Sequence, residues 1–451
     1  MTTTRNSDTI VAIATPSGVG GIAVVRLSGP SAAAIARPHL EPMPTEARRA
    51  TFALFTEGET TIDEVVVTLF SAPHSYTGEE TVEISCHGSR YVQQAILQCL
   101  IDSGARLAEP GEFTMRAFLN GRLNLSQAEA VADLIDATTP VQHRLAVSQL
   151  RGGYADELRT LRGQLLDLTS LLELELDFSQ EDVEFVDRST LLDLIAKMRN
   201  RIYYLCGSFE DGNALKQGIR VAIVGEPNAG KSTLLNALLQ DDRAIVSPIA
   251  GTTRDTIEEL LTIGGLTFRL IDTAGLRHSD NPIEQLGIDR SRQAIEKADM
   301  VLVVADSQTN VDDTEWLLEE CSYRGKKSLL VVNKADLCHP PEYGNISPGS
   351  SCYYISAQQG KGLDELKQGM VEQFRGGRYD DVLLTNARHR DALQHIGTAL
   401  DQATAGLEQQ LPADLVAVDL RDALYHLGTI TGDVTNDELL GNIFSRFCVG
   451  K

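Results

Sequence analysis

The sequence predicts a multidomain protein of mixed α+β and α/β class. An N-terminal α/β domain comes first, then an α-helical domain, into which a P-loop α/β domain of Ras-like type is inserted. Three observations predict this. The stretch Gly225-Glu-Pro-Asn-Ala-Gly-Lys-Ser232 has the G-x-x-x-x-G-K-S spacing of a phosphate-binding loop and lies between a strand-like and a helix-like run. Residues 8–120 alternate short apolar strands with turns and one helical pattern. Long helical periodicities flank the loop domain, at Leu158–Leu176 and Leu191–Leu205 before it and at Asp391–Leu407 and Leu415–Leu427 after it.

In chain order, Thr9–Ala14 reads as a strand that ends in the turn Thr15–Gly21, and Ile22–Leu27 reads as a second strand. Asp63–Phe70 and Thr81–Cys86 are further strands, the latter followed by a turn at His87-Gly88. From Ser89 helical spacing runs through Val92, Ala95, Ile96, Cys99 and Leu100, and Gly104 is placed to stop it. Arg26 and Glu83 are charges inside short apolar strands. That pattern fits an edge strand with one solvated face and fits equally a polar pocket holding both residues. His87 reads as a turn residue.

From Leu123 the texture becomes helical. Ser126-Gln-Ala-Glu129 has the spacing of a capping box, with Ala130, Leu134 and Ile135 following at helical intervals. An acidic, solvent-facing break at Asp177–Asp187 separates two long helices, and Ser189 is a suitable cap for the second. Helices on both sides of an α/β domain imply one helical domain with an insertion, joined near Asn213 and near Gly376-Gly377. The expected divisions are 1–121, 122–213, 214–378 and 379–451.

Within the insertion, Val221–Val224 is a strand and Thr233–Leu239 a helix. Asn228, Ala229, Gly230, Lys231, Ser232 and Thr233 are the expected phosphate contacts, since backbone N–H groups and the helix dipole favour an anion there. Lys231 supplies a point charge for the outer phosphates, and the Ser232 hydroxyl is a magnesium ligand. Gly251-Thr252-Thr253 offers hydroxyls that complete the magnesium shell and sense the γ-phosphate. The strand Phe268–Ile271 delivers Asp272-Thr273-Ala274-Gly275, where Asp272 holds magnesium through water and Gly275 turns its N–H to the γ-phosphate. Strands Met300–Ala305 and Ser328–Val332 follow, the second running into Asn333-Lys334-Ala335-Asp336. A carboxylate at Asp336 accepts both N–H donors of a guanine edge and repels the acceptor edge of adenine, so a mismatch leaves buried groups unpaired. Ser356, Ala357 and Gln358, after the strand Tyr353–Ile355, fit the last base-contacting loop. These ordered motifs read as a GTP site, with ATP the second reading.

Composition bounds the rest. The chain has 451 residues, 42% hydrophobic content and a formal net charge of −23. That charge argues against a protein that grips nucleic acid over its whole surface and leaves room for a local basic patch or a basic partner. No apolar run reaches the ~18 residues of a membrane span, and Met1–Asp8 has no secretory pattern. Seven cysteines without C-x-x-C spacing read as reduced thiols in a cytoplasmic protein. Cys86, Cys99, Cys206, Cys321, Cys338 and Cys352 show no ligand spacing. Cys448 is different: its thiolate beside Lys451 could be a catalytic nucleophile, and a small packed cysteine after Ile443-Phe444 fits as well.

Several stretches resemble a known family. Pro110–Ala130, Ser75-Tyr-Thr-Gly-Glu-Glu80, the P-loop with Asn228, and the terminal Phe447-Cys-Val-Gly-Lys451 are similar to the motifs of the bacterial MnmE (TrmE) family of tRNA modification GTPases. That family lies in the TrmE-Era-EngA-like superfamily, and the resemblance runs the length of the chain. It implies an N-terminal tetrahydrofolate-binding and dimerisation domain, a helical domain and an inserted G domain. It implies a homodimer working with the flavoprotein MnmG in a heterotetramer. Together they would build a carboxymethylaminomethyl or aminomethyl group at C5 of the wobble uridine in the anticodon of certain tRNAs. The carbon would come from 5-formyl- or 5,10-methylene-tetrahydrofolate. Carried over by position, the folate contacts are Arg26, Glu83, Arg122 and Lys451; Arg122 replaces a Lys-type residue, keeping the charge with a different donor geometry.

Many GTPases orient the attacking water with a glutamine after D-x-x-G; here Leu276 stands there. The resemblance supplies a substitute. Potassium would be held by Asn228, Ser247, the backbone of Ile249 and Thr252, with Ser247, Pro248, Ile249, Ala250, Gly251 and Thr252 wrapping over it when two G domains meet. Magnesium would sit on Ser232 and Thr253. Glu284 would position water through a second water; a solvated switch-loop carboxylate is the other reading of Glu284. A switch GTPase of ribosome assembly, without modification chemistry, is the alternative function. The acidic charge, the lack of a basic tail and the N-terminal motif favour the enzyme.

Overall fold

The computed structural model describes residues 8–177, 188–241, 259–271, 284–306, 311–337, 351–375, 383–445 and 447–450. The chain divides into two units. One comprises Met1–Asp136, Val147–Phe185 and Gln410–Lys451; the other comprises Ala137–Ala146 and Val186–Gln409.

The first unit is built on strands β1 (Ile10–Ile13), β2 (Ile22–Ser28), β3 (Leu40–Glu41), β4 (Thr51–Glu57), β5 (Thr60–Phe70), β6 (Thr81–His87) and β7 (Arg106–Leu107). They form one sheet in the order β3-β4-β5-β6-β2-β1-β7, antiparallel except for the β1–β7 pair. The two-residue period puts Val82, Ile84 and Cys86 of β6 in the core with Val25 and Leu27 of β2. Helices α1 (Ala32–Ala36) and α2 (Arg90–Asp102) close that core with Ile35, Ile96 and Leu100. β2 and β6 are central strands, so Arg26 and Glu83 do not lie on an edge. Strand β4 goes beyond the sequence expectation. Its run Phe52-Ala-Leu-Phe55 is apolar on both faces, and Phe52 is exposed, which hides the alternation. His87, expected in a turn, is the last residue of β6.

Helices α3 (Glu112–Leu119), α4 (Leu125–Asp136), α5 (Pro140–Leu150) and α6 (Gly153–Asp177) follow. The capping box of α4 sits two residues before its expected place. The Gln127 N–H donates to Asn124 Oδ1 (2.8 Å) and the Asn124 N–H donates to Gln127 Oε1 (3.0 Å), while Ser126 lies inside the helix. An asparagine caps as well as serine does, so spacing alone misplaced the start.

The other unit begins its helices with α7 (Arg188–Gly207), in which Ser189 is a helical residue rather than the cap, and α8 (Phe209–Gln217), which contains Asn213. Strands β8 (Ile219–Gly225), β9 (Glu259–Ile263), β10 (Leu266–Leu270), β11 (Met300–Asp306), β12 (Lys327–Asn333) and β13 (Ser351–Tyr354) make a second sheet. Its order is β13-β12-β11-β8-β10-β9, parallel except for the β9–β10 hairpin. Buried on both faces, β8, β11 and β12 read as continuous apolar runs. Helices α9 (Lys231–Asp241), α10 (Glu284–Lys297), α11 (Val311–Tyr323), α12 (Leu363–Arg375) and α13 (Ala387–Glu408) belong to this unit. The C-terminal helices α14 (Ala413–Thr431) and α15 (Asp437–Phe444) return to the first.

An ion cluster fixes the first unit internally. Arg116, 1% exposed, donates to Asp8 (2.6 Å), Glu112 (3.0 Å) and Glu79 (3.3 Å). Arg106 donates to Glu112 (2.6 Å) and Asp8 (2.7 Å), and the Glu109 N–H adds a bond to Glu112. Burial pushes the Glu112 carboxyl up, yet the bonds from Arg106, Glu109 and Arg116 outweigh it and hold it below the usual carboxylate range. Removing one partner of such a buried pair costs about 3–5 kcal/mol. Arg116→Ala should therefore lower stability by about that amount in urea denaturation. A carboxyl with a depressed native pKa stabilises above its unfolded pKa, about 4.3 for Glu, and that stabilisation is lost as pH falls through the native value. Glu112→Gln should accordingly flatten the acid limb of a stability–pH curve; an unchanged limb would show that Glu112 does not carry it.

Candidate nucleotide-binding edge and N-terminal polar pair

Because β8, β11 and β12 run parallel, the loops after them share one edge of the sheet, where ligands of doubly wound α/β folds bind. The first loop joins β8 to α9. Gly230 has φ of 94°, and a Cβ there would run into the Asn333 amide, so the loop passes close to the β12 end only with glycine. Asn228 also takes a left-handed conformation (φ 65°), tolerable for asparagine, and lies exposed. Lys231 Nζ donates to the carbonyls of Gly225 (2.8 Å) and Glu226 (2.6 Å). Burial lowers its pKa, with Glu226 working against the shift. Ala229 is buried, whereas Ser232 and Thr233 are exposed on the first turn of α9.

Asn333, 3% exposed at the end of β12, spans two loops. Its Nδ2 donates to the Ala229 carbonyl (3.0 Å), and its Oδ1 accepts from the Ala357 N–H (3.0 Å). The Ala335 N–H donates to Ile355 O (3.0 Å), which holds the neighbouring segment against β13's exit. Lys334 is left-handed (φ 59°), with Nζ 2.8 Å from Asp306 Oδ2. Asp336 is exposed and accepts from Gln359 Nε2 at 3.2 Å. Ser356 and Ala357 are buried and offer backbone groups, while Gln358 is exposed. Sequence reasoning missed Asp306 and Gln359: each follows or precedes a recognisable motif, and only the shared sheet edge brings them to it. Ser247, Pro248, Ile249, Ala250, Gly251, Thr252, Thr253, Asp272, Thr273, Ala274, Gly275 and Lys451 lie outside the described residues. Glu284 is the first residue of α10, and its side chain is likewise outside them.

In the first unit, Arg26 and Glu83 sit directly opposite one another in the β2–β6 register. Arg26 Nε and Nη2 each lie 2.8 Å from Glu83 Oε1, with side chains 21% and 28% exposed. The guanidinium stands over the rings of Tyr76 (5.4 Å) and Phe113 (5.7 Å). Tyr76 shares a hydrogen bond with Thr114 (2.8 Å), and Asn120 Nδ2 donates to Thr77 O (2.8 Å). Arg122 is exposed beside Gly78, where a Cβ would meet its Cγ at 3.1 Å. The motifs at 75–80 and 110–122 thus meet around the Arg26–Glu83 pair.

The C-terminal segment reaches the same unit's sheet. The Gly111 N–H donates to Cys448 O (3.4 Å), Pro110 bridges to Val449, and Gly450 (φ 97°) lies so close to Ile13 O that a Cβ would collide with it. Cys448 is exposed, which rules out the packed-cysteine reading. Cys86, Cys99 and Cys321 are buried, and Cys206 and Cys352 half-buried. Among the described residues, no group of three His, Cys, Asp or Glu side chains is disposed to hold a metal, and no helix is long and apolar enough to cross a membrane. His87 bonds Asp63 through Nδ1 (2.7 Å) and its N–H (2.8 Å), and Asp63 raises the imidazole pKa.

Asn333→Ala would leave two buried backbone groups without their partner, each worth about 1–3 kcal/mol. We expect weaker binding of a fluorescent guanine nucleotide, by about tenfold or more, together with a lower melting temperature. Unchanged affinity would show that the tie does not shape the site.

Comparison with known proteins bears on both units. The family model described as MnmE helical domain matches residues 125–448, and that described as GTP-binding protein TrmE N-terminus matches residues 9–122. The tRNA modification GTPase MnmE of Christiangramia forsetii is 46% identical, covering 99% of this chain and 99% of its own. That of Cytophaga hutchinsonii is 47% identical, covering 100% and 99%. That of Parabacteroides distasonis is 48% identical, covering 98% and 100%. Among solved structures, Era in complex with MgGDPNP and a 16S ribosomal RNA fragment shares 28% identity. It covers 40% of this chain and 66% of that one, with a TM-score of 0.28, too low to carry weight. On coverage and identity together, the chain belongs to the MnmE family of tRNA modification GTPases.

Proposed function

We propose that this protein hydrolyses GTP to drive wobble-uridine modification of certain tRNAs, acting with the flavoprotein MnmG. Family membership makes it a GTP hydrolase of tRNA modification. The observation that supports a GTP site most is Asn333, which ties the phosphate loop at Ala229 to the Ala357 loop within one sheet edge. Backbone N–H groups from Asn228 to Thr233 would hold the phosphates, and Lys231 would exchange the Gly225 and Glu226 carbonyls for phosphate oxygens. Asp336, exposed at that edge, would read the guanine, with Ser356, Ala357 and Gln358 beside it.

The exposed Ser232 hydroxyl on the first turn of α9 and the exposed, left-handed Asn228 suit cation contacts at the rim of the loop. Magnesium at Ser232 and Thr253, and potassium at Asn228, Ser247, Ile249 and Thr252, would supply positive charge to the phosphates. Leu276 cannot orient a water; by resemblance to the family, Glu284 would position it through a second water.

The Arg26–Glu83 pair pairs a donor fork with an acceptor beside two aromatic rings, which suits the hydrogen-bonding edge of a tetrahydrofolate pterin. Arg122 and Lys451 would complete that site, with exposed Cys448 a candidate nucleophile close to it in sequence. The domains would be 1–121 for folate and dimerisation, 122–213 and 379–451 for the helical domain, and 214–378 for the G domain. A cytoplasmic homodimer in a heterotetramer with MnmG completes the reading.

GTP turnover in potassium and in sodium buffer at matched ionic strength tests the ion's role. Potassium should accelerate wild type, and Asn228→Ala should abolish the difference; equal rates in both salts would remove the roles of Asn228 and Ser247–Thr252. With potassium present, Glu284→Gln should lower kcat by about 100-fold, and a wild-type rate would end that assignment. Calorimetry with 5-formyl-tetrahydrofolate should show binding that Arg26→Ala weakens by tenfold or more, an order of magnitude set by one charged hydrogen-bond pair. Equal binding by the variant would place the folate elsewhere.

A further inference from the structure

Lys334 carries an unresolved tension. It is a non-glycine residue in the left-handed region, φ 59°, a conformation that costs about 1–2 kcal/mol and persists only when neighbours enforce it. Its backbone is pinned on both sides. Asn333 is locked by its two side-chain bonds, the Ala335 N–H donates to Ile355 O, and the Leu337 N–H donates to Lys334 O at 3.0 Å. The side chain is pinned as well. Asp306, the last residue of β11, faces Asn333 in the β11–β12 register, so Lys334 stands one step past the end of that ladder. Its ammonium is drawn back to Asp306 Oδ2 at 2.8 Å, with Lys334 35% exposed and Asp306 14%.

A half-exposed ion pair of this kind contributes little to global stability. Its effect is geometric. The ammonium is held at the end of β11, at the sheet edge where ligands of doubly wound folds bind, with its charge neutralised there by Asp306. Untethered, the same cation would be free to swing toward the nearby carboxylate of Asp336 or the phosphates. Tethered, the charge is held at the end of β11, two residues from the exposed Asp336 in sequence.

We propose that Asp306 is a positioning residue for the base-binding slot: it fixes Lys334 so that its stem packs on one face of the purine and its charge stays off Asp336. This rests on the GTP site proposed above. Asp306 itself touches no nucleotide; it acts through Lys334.

The test uses the full-length protein and two probes, GDP and inorganic tripolyphosphate, the second lacking a base. Wild type should bind both; failure to bind GDP at all would overturn the GTP-site reading instead of the role of Asp306. Asp306→Ala should weaken GDP by about tenfold, the range of burying one or two methylenes against the base, and leave tripolyphosphate within about twofold. Asp306→Glu should recover part of the loss. Lys334→Ala should weaken GDP similarly, and the double variant should lose no more than either single one. Equal loss of both probes, or additive losses in the double variant, would overturn the proposal. So would full GDP affinity in Asp306→Ala.

Discussion

One amide group ties two loops together at one edge of the second unit's sheet. Asn333 spends its donor on Ala229 O and its acceptor on the Ala357 N–H, at 3.0 Å each and almost out of solvent. A buried donor or acceptor left unmade costs more than a made bond contributes, so the two loops are fixed to β12 and through it to each other. Gly230 is the other half of that constraint. Any Cβ there would displace the Asn333 amide, so the glycine is required by a residue over a hundred positions away.

The parallel sheet supplies the reason these residues meet. Apolar runs such as Val301–Ala305 and Leu329–Val332 are buried on both faces and align in parallel, which sends their C-terminal loops to the same edge. Polar residues gather there because the strands end there: Asp306 at the end of β11 and Lys334 just past β12 are the first positions to leave full burial, while Asn333 is still buried and is satisfied by its two bonds.

The first unit solves a different problem. Its sheet must present Arg26 and Glu83 from central strands without leaving either charge alone, and direct cross-strand pairing satisfies both. A few residues away, Arg116 and Glu112 are far more deeply buried and are satisfied by a wider cluster with Asp8, Glu79 and Arg106. That cluster fastens α3 to the 75–80 loop and to the start of β1, and so sets where Tyr76 and Phe113 stand beneath Arg26. Its members lie from position 8 to position 116.

Local patterns in the sequence determined the elements: the strand–loop–helix at 219–241, the parallel strands at 300–306 and 327–333, and the long helices at 153–177, 188–207, 387–408 and 413–431. They did so because period, glycine placement and dipole-favoured spacing are properties of neighbouring residues. Where competing residues could serve, the pattern slipped, as at Asn124, which caps α4 in place of Ser126, and at β4, whose two apolar faces carry no alternation. Whether Arg26 and Glu83 lay at an edge or inside, whether Cys448 was packed or open, and which carboxylate holds Lys334 were decided only by the tertiary structure. Each depends on strand order or on chain segments far apart in sequence, and strand order follows from burying both faces of a sheet, which no local window records.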